Sequence, residues 1–156
     1  MRKLTAILSA AAIVTIGAVA GAQTGASASP TAPLPSLSLT TTMISFTPVT
    51  VASGPLKPGD GYVLAGRIML HGKAEGLATA ACTWTVVKGP HLRVCTIDYA
   101  MNNGLIATTG FINSPAPGAP VTLVVEGGTG AFKDVRGYGK LQPTPTGSGV
   151  TLFLTK

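Results

Sequence analysis

The side chains able to do chemistry are few: Cys82 and Cys95, His71 and His91, and five acidic residues set against 11 Lys and Arg in a chain of 156. Nucleophilic, acid–base and metal chemistry each need several such groups converging on one point. Two histidines 20 residues apart, with no Cys, His or Asp at ligand spacing, give no zinc signature. Gly127-Gly128-Thr129-Gly130-Ala131-Phe132-Lys133 begins like a phosphate loop but lacks the Gly-Lys-Ser/Thr ending, and no helix signal follows it. Lys133 also stands where a dinucleotide fingerprint needs glycine, and no Gly-x-Ser-x-Gly elbow exists. Neither cysteine has a histidine beside it, since His91 falls in or next to a turn and His71 ends a different strand. Confinement and orientation of a substrate, with one or two polar groups, is the chemistry such a chain can support. No metal or nucleotide cofactor is expected.

The cysteines have a definite place if the runs around them pair. A hairpin centred between Lys88 and Gly89 sets Cys82 directly opposite Cys95, where Cβ atoms approach disulfide range. A bridge contributes on the order of 3 kcal/mol by closing the loop. Two reduced, buried thiols are the alternative. The same register puts Trp84 opposite Arg93, on the cysteine face with Val86, Ile97 and Tyr99, and a cation–π contact there is worth about 0.5–1 kcal/mol if exposed.

The elements that must hold these residues are strands. Twenty Gly and 12 Pro without periodicity, with hydrophobic residues at 46%, argue against long helices and for short strands between turns. Eight apolar or alternating runs follow one another at about 40–51, 61–70, 79–87, 92–100, 104–113, 120–126, 135–142 and 149–155. The breaks carry Gly, Pro, Asn and Asp, and Asn103-Gly104 is the strongest hairpin signal, read as the two centres of a type I′ turn. Several strands are apolar on one face and only partly polar on the other. An eight-stranded antiparallel sheet closed on itself removes its edges and encloses a lumen, whereas a sandwich would leave edges to protect. The expected fold is therefore an all-β closed barrel over 39–156.

Two segments precede it. Met1-Arg2-Lys3, an uncharged stretch from Leu4 to Ala20, and Ala26-Ser27-Ala28 follow the order of a secretory signal peptide, cut after Ala28 or, at a second site, after Ala22. The stretch sits at or below spanning length, which disfavours a membrane anchor, and the first cysteine lies too far on for a lipoprotein. Ser29 to Ser38 has three prolines in six residues and reads as an extended tether. Without Arg2 and Lys3 the net charge falls from +6 to +4, dispersed with no Lys/Arg run, so no nucleic-acid partner is expected, and adsorption to anionic cell-wall polymers or headgroups is the non-specific alternative. A secreted protein with no stable membrane insertion after cleavage is expected.

The segment Glu126 to Gln142, with Gly127-Gly128-Thr129-Gly130, the aromatic Phe132, and Arg136-Gly137 opening the next strand, resembles the C-terminal motif of the allene oxide cyclase and dirigent protein superfamily. Pro58-Gly59-Asp60, the cysteine strands and Asn103-Gly104-Leu105 are similar in order and spacing to bacterial members, so the resemblance spans roughly 58–155. It implies an eight-stranded antiparallel barrel, often trimeric, whose lumen takes an apolar small molecule. Plant cyclases close a fatty-acid epoxide, dirigent proteins steer phenoxy radical coupling, and some bacterial relatives perform cycloadditions. By position, the resemblance offers only Asp60 and Arg136 as catalytic candidates. A turn aspartate and a surface arginine are their plain structural readings. Arg136 shares its face with Tyr138, Lys140 and Gln142; turned inward it would need an acid such as Asp60, Asp98 or Glu126, or an anionic ligand. Two functions follow: a secreted, isomerase-like barrel that shapes the cyclisation or coupling of a hydrophobic metabolite, or a non-catalytic binding or cell-envelope protein on the same scaffold. An open lumen holding a buried acid or arginine favours the first, and a lumen plugged by Leu, Ile and Phe favours the second.

Overall fold

Strands of alternating pattern separated by short turns pair with their neighbours in sequence, and eight of them suffice to bring the last back to the first. The computed structural model describes residues 34–51, 53–88, 91–113 and 118–156. The export segment and residues 29–33 of the tether lie outside the described residues. The strands are β1 Leu37–Val49, β2 Gly61–Leu70, β3 Lys73–Val86, β4 Leu92–Met101, β5 Gly104–Asn113, β6 Val121–Gly128, β7 Arg136–Thr144 and β8 Gly147–Thr155, with one 3-10 turn at Gly130–Phe132. Each pairs antiparallel with the next, and β1 pairs with β8 to close the barrel. The expected fold class is the observed one.

Several boundaries differ, each for a local reason. β1 starts at Leu37, inside the expected tether, because Leu37 to Thr42 pair with Leu152 to Gly147. β3 starts at Lys73 rather than 79, because the β2–β3 connection needs only His71 and Gly72, both at positive φ (50° and 77°). That is the type I′ pair the sequence reading assigned to Asn103-Gly104. In the β4–β5 hairpin Met101 pairs with Gly104, so Asn102 and Asn103 form the turn and Gly104 opens the strand.

An up-and-down barrel has two ends. One, the rim, gathers the ends of β1, β3, β5 and β7. The other, the floor, is sealed by the Gly127–Gly130 motif: the Ala131 N–H donates to the Asn103 carbonyl (2.8 Å) and the Thr129 N–H to that of Leu105 (2.9 Å). Gly130, at φ 60°, lies so close that a Cβ would sit 2.4 Å from the Asn103 oxygen. Above this seal Ile68, Ile106, Leu123, Leu152, Val125 and Val135 are fully buried, each large side chain contributing about 1.5–3 kcal/mol. Leu123 and Leu152 fill space that Gly110 and Gly139 leave, since a Cβ on either glycine would meet a leucine methyl at 2.6 or 2.7 Å.

Candidate functional site

The rim half of the interior is built differently. β3 turns the small Ala78, Ala80 and Cys82 inward, between Gly66, Leu64 and Tyr62 on β2 and Tyr99, Ile97 and Cys95 on β4. Cys82 and Cys95 pair directly across β3 and β4 and form a disulfide. These small groups leave a cavity of about 220 Å³, lined mainly by β1 to β4 and closed on the far side by Ile112, Leu141 and the β7–β8 turn. At the rim it continues into a shallower groove bordered by Phe46, Leu56, Asp60 and Trp84, the two sharing Met43, Tyr62, Leu64 and Arg93.

Arg93 stands at this junction. It pairs across the ladder with Trp84, as the hairpin register requires. Its guanidinium lies over the Trp84 ring at 5.0 Å and over the Tyr62 ring at 5.4 Å. Phe46 stacks on Tyr62 (5.3 Å) and His91 meets Trp84 edge-on (5.8 Å), so the arginine is held by an aromatic collar. The buried Arg93 Nε has no hydrogen-bond partner. Desolvation pushes the Tyr62 hydroxyl above its ordinary pKa, the charge of Arg93 partly opposing it.

Tyr99 lies further down β4 and also lines the cavity. It is 0% exposed, and its hydroxyl meets no hydrogen-bond partner among the described residues. Burial drives its pKa strongly upward, so it stays a neutral donor at any physiological pH; the nearby Thr108 side chain acts in the opposite direction. Thr108 directs its own proton to the Ile97 carbonyl (3.0 Å). A buried polar group left unpaired costs about 1–3 kcal/mol. Arg93 Nε and the Tyr99 hydroxyl are thus two buried, unpartnered donors on residues that line the apolar cavity.

The two residues offered by resemblance sit elsewhere. Asp60 borders the rim groove and is 2% exposed, yet both carboxylate oxygens are occupied, Oδ1 by the Val51 N–H (2.7 Å) and Oδ2 by the Lys57 N–H (2.8 Å). These bonds hold its carboxyl below the ordinary range. Its backbone carbonyl accepts from Trp84 N–H (2.8 Å), so Asp60 ties the β1–β2 loop to the strand carrying the collar tryptophan. Arg136 opens β7 at the floor end, exposed on the outer face, its Nη1 donating to the Val135 carbonyl (2.8 Å). It pairs with none of Asp60, Asp98 or Glu126, and it lies at the opposite end from the rim. Alternation puts Tyr99 on the cysteine face of β4, but nothing in a single sequence shows that Tyr62 and Tyr99 line a cavity. Among the described residues no group of three or more His, Cys, Asp or Glu could hold a metal ion, and no helix is long and apolar enough to cross a membrane.

No family model matches the sequence, and no curated relative does. The fold does have solved counterparts. Pyocyanin demethylase superposes with a TM-score of 0.66 at 21% identity, over 77% of this chain and 99% of that one. AbnU, an exo-specific intermolecular Diels-Alderase, gives 0.60 at 15%, over 78% and 97%. AbmU, the Diels-Alderase from Streptomyces koyangensis, gives 0.59 at 16%, over 78% and 63%. At these identities the likeness concerns the fold: the chain is the same kind of barrel as these small-molecule enzymes.

Proposed function

We propose that the protein binds a hydrophobic small molecule in the rim half of its lumen and directs its cyclisation or coupling by confinement, in the manner of the allene oxide cyclase and dirigent-like barrels. The observation that carries this reading is the apolar cavity with an arginine at its entrance and no side chain filling it. Ligand sites of this kind are concave, mostly apolar and equipped with a few polar groups that fix orientation. Structural neighbours whose names describe cycloaddition catalysts support the reading. Holding a flexible substrate in a folded, near-reactive shape lowers its barrier without a dedicated acid or base. A carrier that binds without turnover is the second reading, favoured by the occupied carboxylate of Asp60, the one acid bordering the groove among the described residues.

The same reading makes the protein an exported one, its disulfide belonging with oxidising compartments. Native mass spectrometry of protein purified from its own culture medium tests both parts. A retained small molecule on a chain lacking its first 28 or 22 residues is the expected result, and the same spectrum reports whether the barrel is trimeric. A ligand-free, cell-associated chain that keeps Met1 to Ala20 would overturn it.

A further inference from the structure

We propose that the ligand is amphiphilic with two polar ends: an anionic group, such as a carboxylate or acidic enol, held by Arg93 at the rim, and a hydrogen-bond acceptor, such as a carbonyl, met by the Tyr99 hydroxyl at depth. The inference rests on the lumen-binding reading and adds to it the chemistry of what binds.

Three observations carry it. Arg93 is positioned by aromatic faces rather than by a carboxylate, so its charge is held in place without being neutralised. Its buried Nε has no partner, and the one acid bordering the groove, Asp60, has both oxygens committed to backbone amides. A planar guanidinium in that state is an anion site waiting for its anion. The second orphaned donor, the Tyr99 hydroxyl, lies six residues along the same strand, a Cα separation of about 20 Å at ~3.3 Å per residue. Both residues line the cavity, and the wall between them carries the disulfide, Ala78, Ala80 and Ile97. Donors at both ends and apolar walls between them match a ligand with an apolar middle and two acceptors.

The anion end accounts for the collar as well. The Tyr62 and Trp84 rings both lie within 5.4 Å of the guanidinium, and excluding water there strengthens its pull on a bound anion. Their exposed neighbours Phe46 and Met43 offer an apolar approach to it.

The test is competition for a neutral fluorescent reporter, N-phenyl-naphthylamine, by three matched ten-carbon probes: decanoate, decanol, and a decanoate carrying a ketone one carbon from its far end. The wild-type protein should bind decanoate about tenfold or more tightly than decanol, as expected of a charge-assisted bond, and the keto acid severalfold more tightly again. Arg93→Gln should erase the acid's advantage and leave decanol unchanged, with Arg93→Lys restoring part of it. Tyr99→Phe should erase the ketone's advantage alone, and should leave the thermal midpoint unchanged or raised, since it removes an unpaired buried hydroxyl. A hydroxyl with a purely structural role would instead lower the midpoint and leave the probe ranking intact, which would overturn the Tyr99 half. Equal binding of all three probes, unmoved by Arg93→Gln, would overturn the anion half while sparing the lumen reading. Failure of every probe to displace the reporter, or of the reporter to bind, would sink the lumen reading itself.

Discussion

The barrel's two walls solve the same packing problem in opposite ways. On β5 to β8 two buried glycines are each answered by a leucine: Leu123 occupies the place of a side chain at Gly110, and Leu152 that at Gly139. On β1 to β4, Gly66, Ala78, Ala80 and the disulfide face one another and nothing reaches across to fill the gap. Both walls are apolar, so hydrophobicity does not distinguish them. An eight-stranded barrel is just wide enough for side chains to fill its interior, and the volume of the inner residues on one wall decides whether it holds a core or a site. Ile68, fully buried and outside the cavity lining, shows that even the open wall turns to core toward the floor.

The sharpest way to break this comparison is to exchange the roles of the two walls. Leu123→Ala should cost about 3 kcal/mol, since it deletes a fully buried side chain whose glycine neighbours cannot close the hole. Ala80→Leu, on the open wall, should change stability by less than about 1 kcal/mol, because it fills space instead of overpacking it, but should abolish reporter binding. Urea denaturation and reporter titration of the two variants give both quantities. Comparable destabilisation by both would mean that the open wall is as tightly packed as the other.

The disulfide comes next. It joins residues 13 apart across a directly opposed pair, and reduction, or the double change Cys82→Ala with Cys95→Ala, should cost about 2–3 kcal/mol by the loop-closure argument. The loss would appear as a lower denaturant midpoint for the reduced protein, with the cavity still open, because alanines there are no larger than the sulfurs they replace. An unchanged midpoint would show that the open wall is held by the barrel closure alone.

Much of this architecture was legible because it is written in period two. The runs, the turn chemistry between them and the opposition of Cys82 to Cys95 all follow from local pattern, and the barrel follows from their number. The Trp84–Arg93 pairing was legible too, but only as a packing contact. What turns it into a site is which row of inward residues ends at the rim, and that depends on the tilt and stagger of the closed sheet, a property of all eight strands together. Arg136 illustrates the same gap: alternation separates Arg136, Tyr138, Lys140 and Gln142 from Val135, Gly139 and Leu141, and leaves open which set is inside. The start of β3 was hidden because Lys73 to Gly76 is polar and glycine-bearing, and reads as a loop until His71 and Gly72 are seen to make the turn unaided.

A third way to probe the open side is through pH. The carboxyl of Asp60 has a folded pKa below its ordinary value of 3.8 because Val51 and Lys57 amides donate to it. A depressed carboxylate contributes stability that is fully present above the ordinary pKa and is lost as pH falls through the lower, folded value. The β1–β2 loop should therefore loosen below about pH 4, freeing the rim around Trp84 while the floor stays intact. Amide exchange at Val51 and Lys57, compared with that of Leu152 and Leu154, reads the difference. Asp60→Asn should show the loosened rim already at neutral pH and little further change on acidification. Uniform protection of rim and floor through this range would dissolve the distinction.

The smallest effect is expected at Arg136, and its smallness is informative. The residue lies outside the β5–β8 wall at the floor end, exposed, with a single side-chain hydrogen bond to the carbonyl of its own neighbour Val135. Its strand-mate Tyr138 stacks on Phe153 at 4.7 Å on the same outer surface. A guanidinium there is hydrated and gains little from that one bond, so Arg136→Leu should shift stability by no more than about 0.5 kcal/mol, as ordinary surface sites do. Binding of the keto acid and of decanoate should be unchanged, in contrast to Arg93→Gln. The two arginines thus form a matched pair, alike in chemistry and unlike in position: one over the mouth of a cavity, the other outside a filled wall. If Arg136→Leu instead weakened probe binding, the ligand would have to reach the floor end, and the assignment of the site to the open wall would fail.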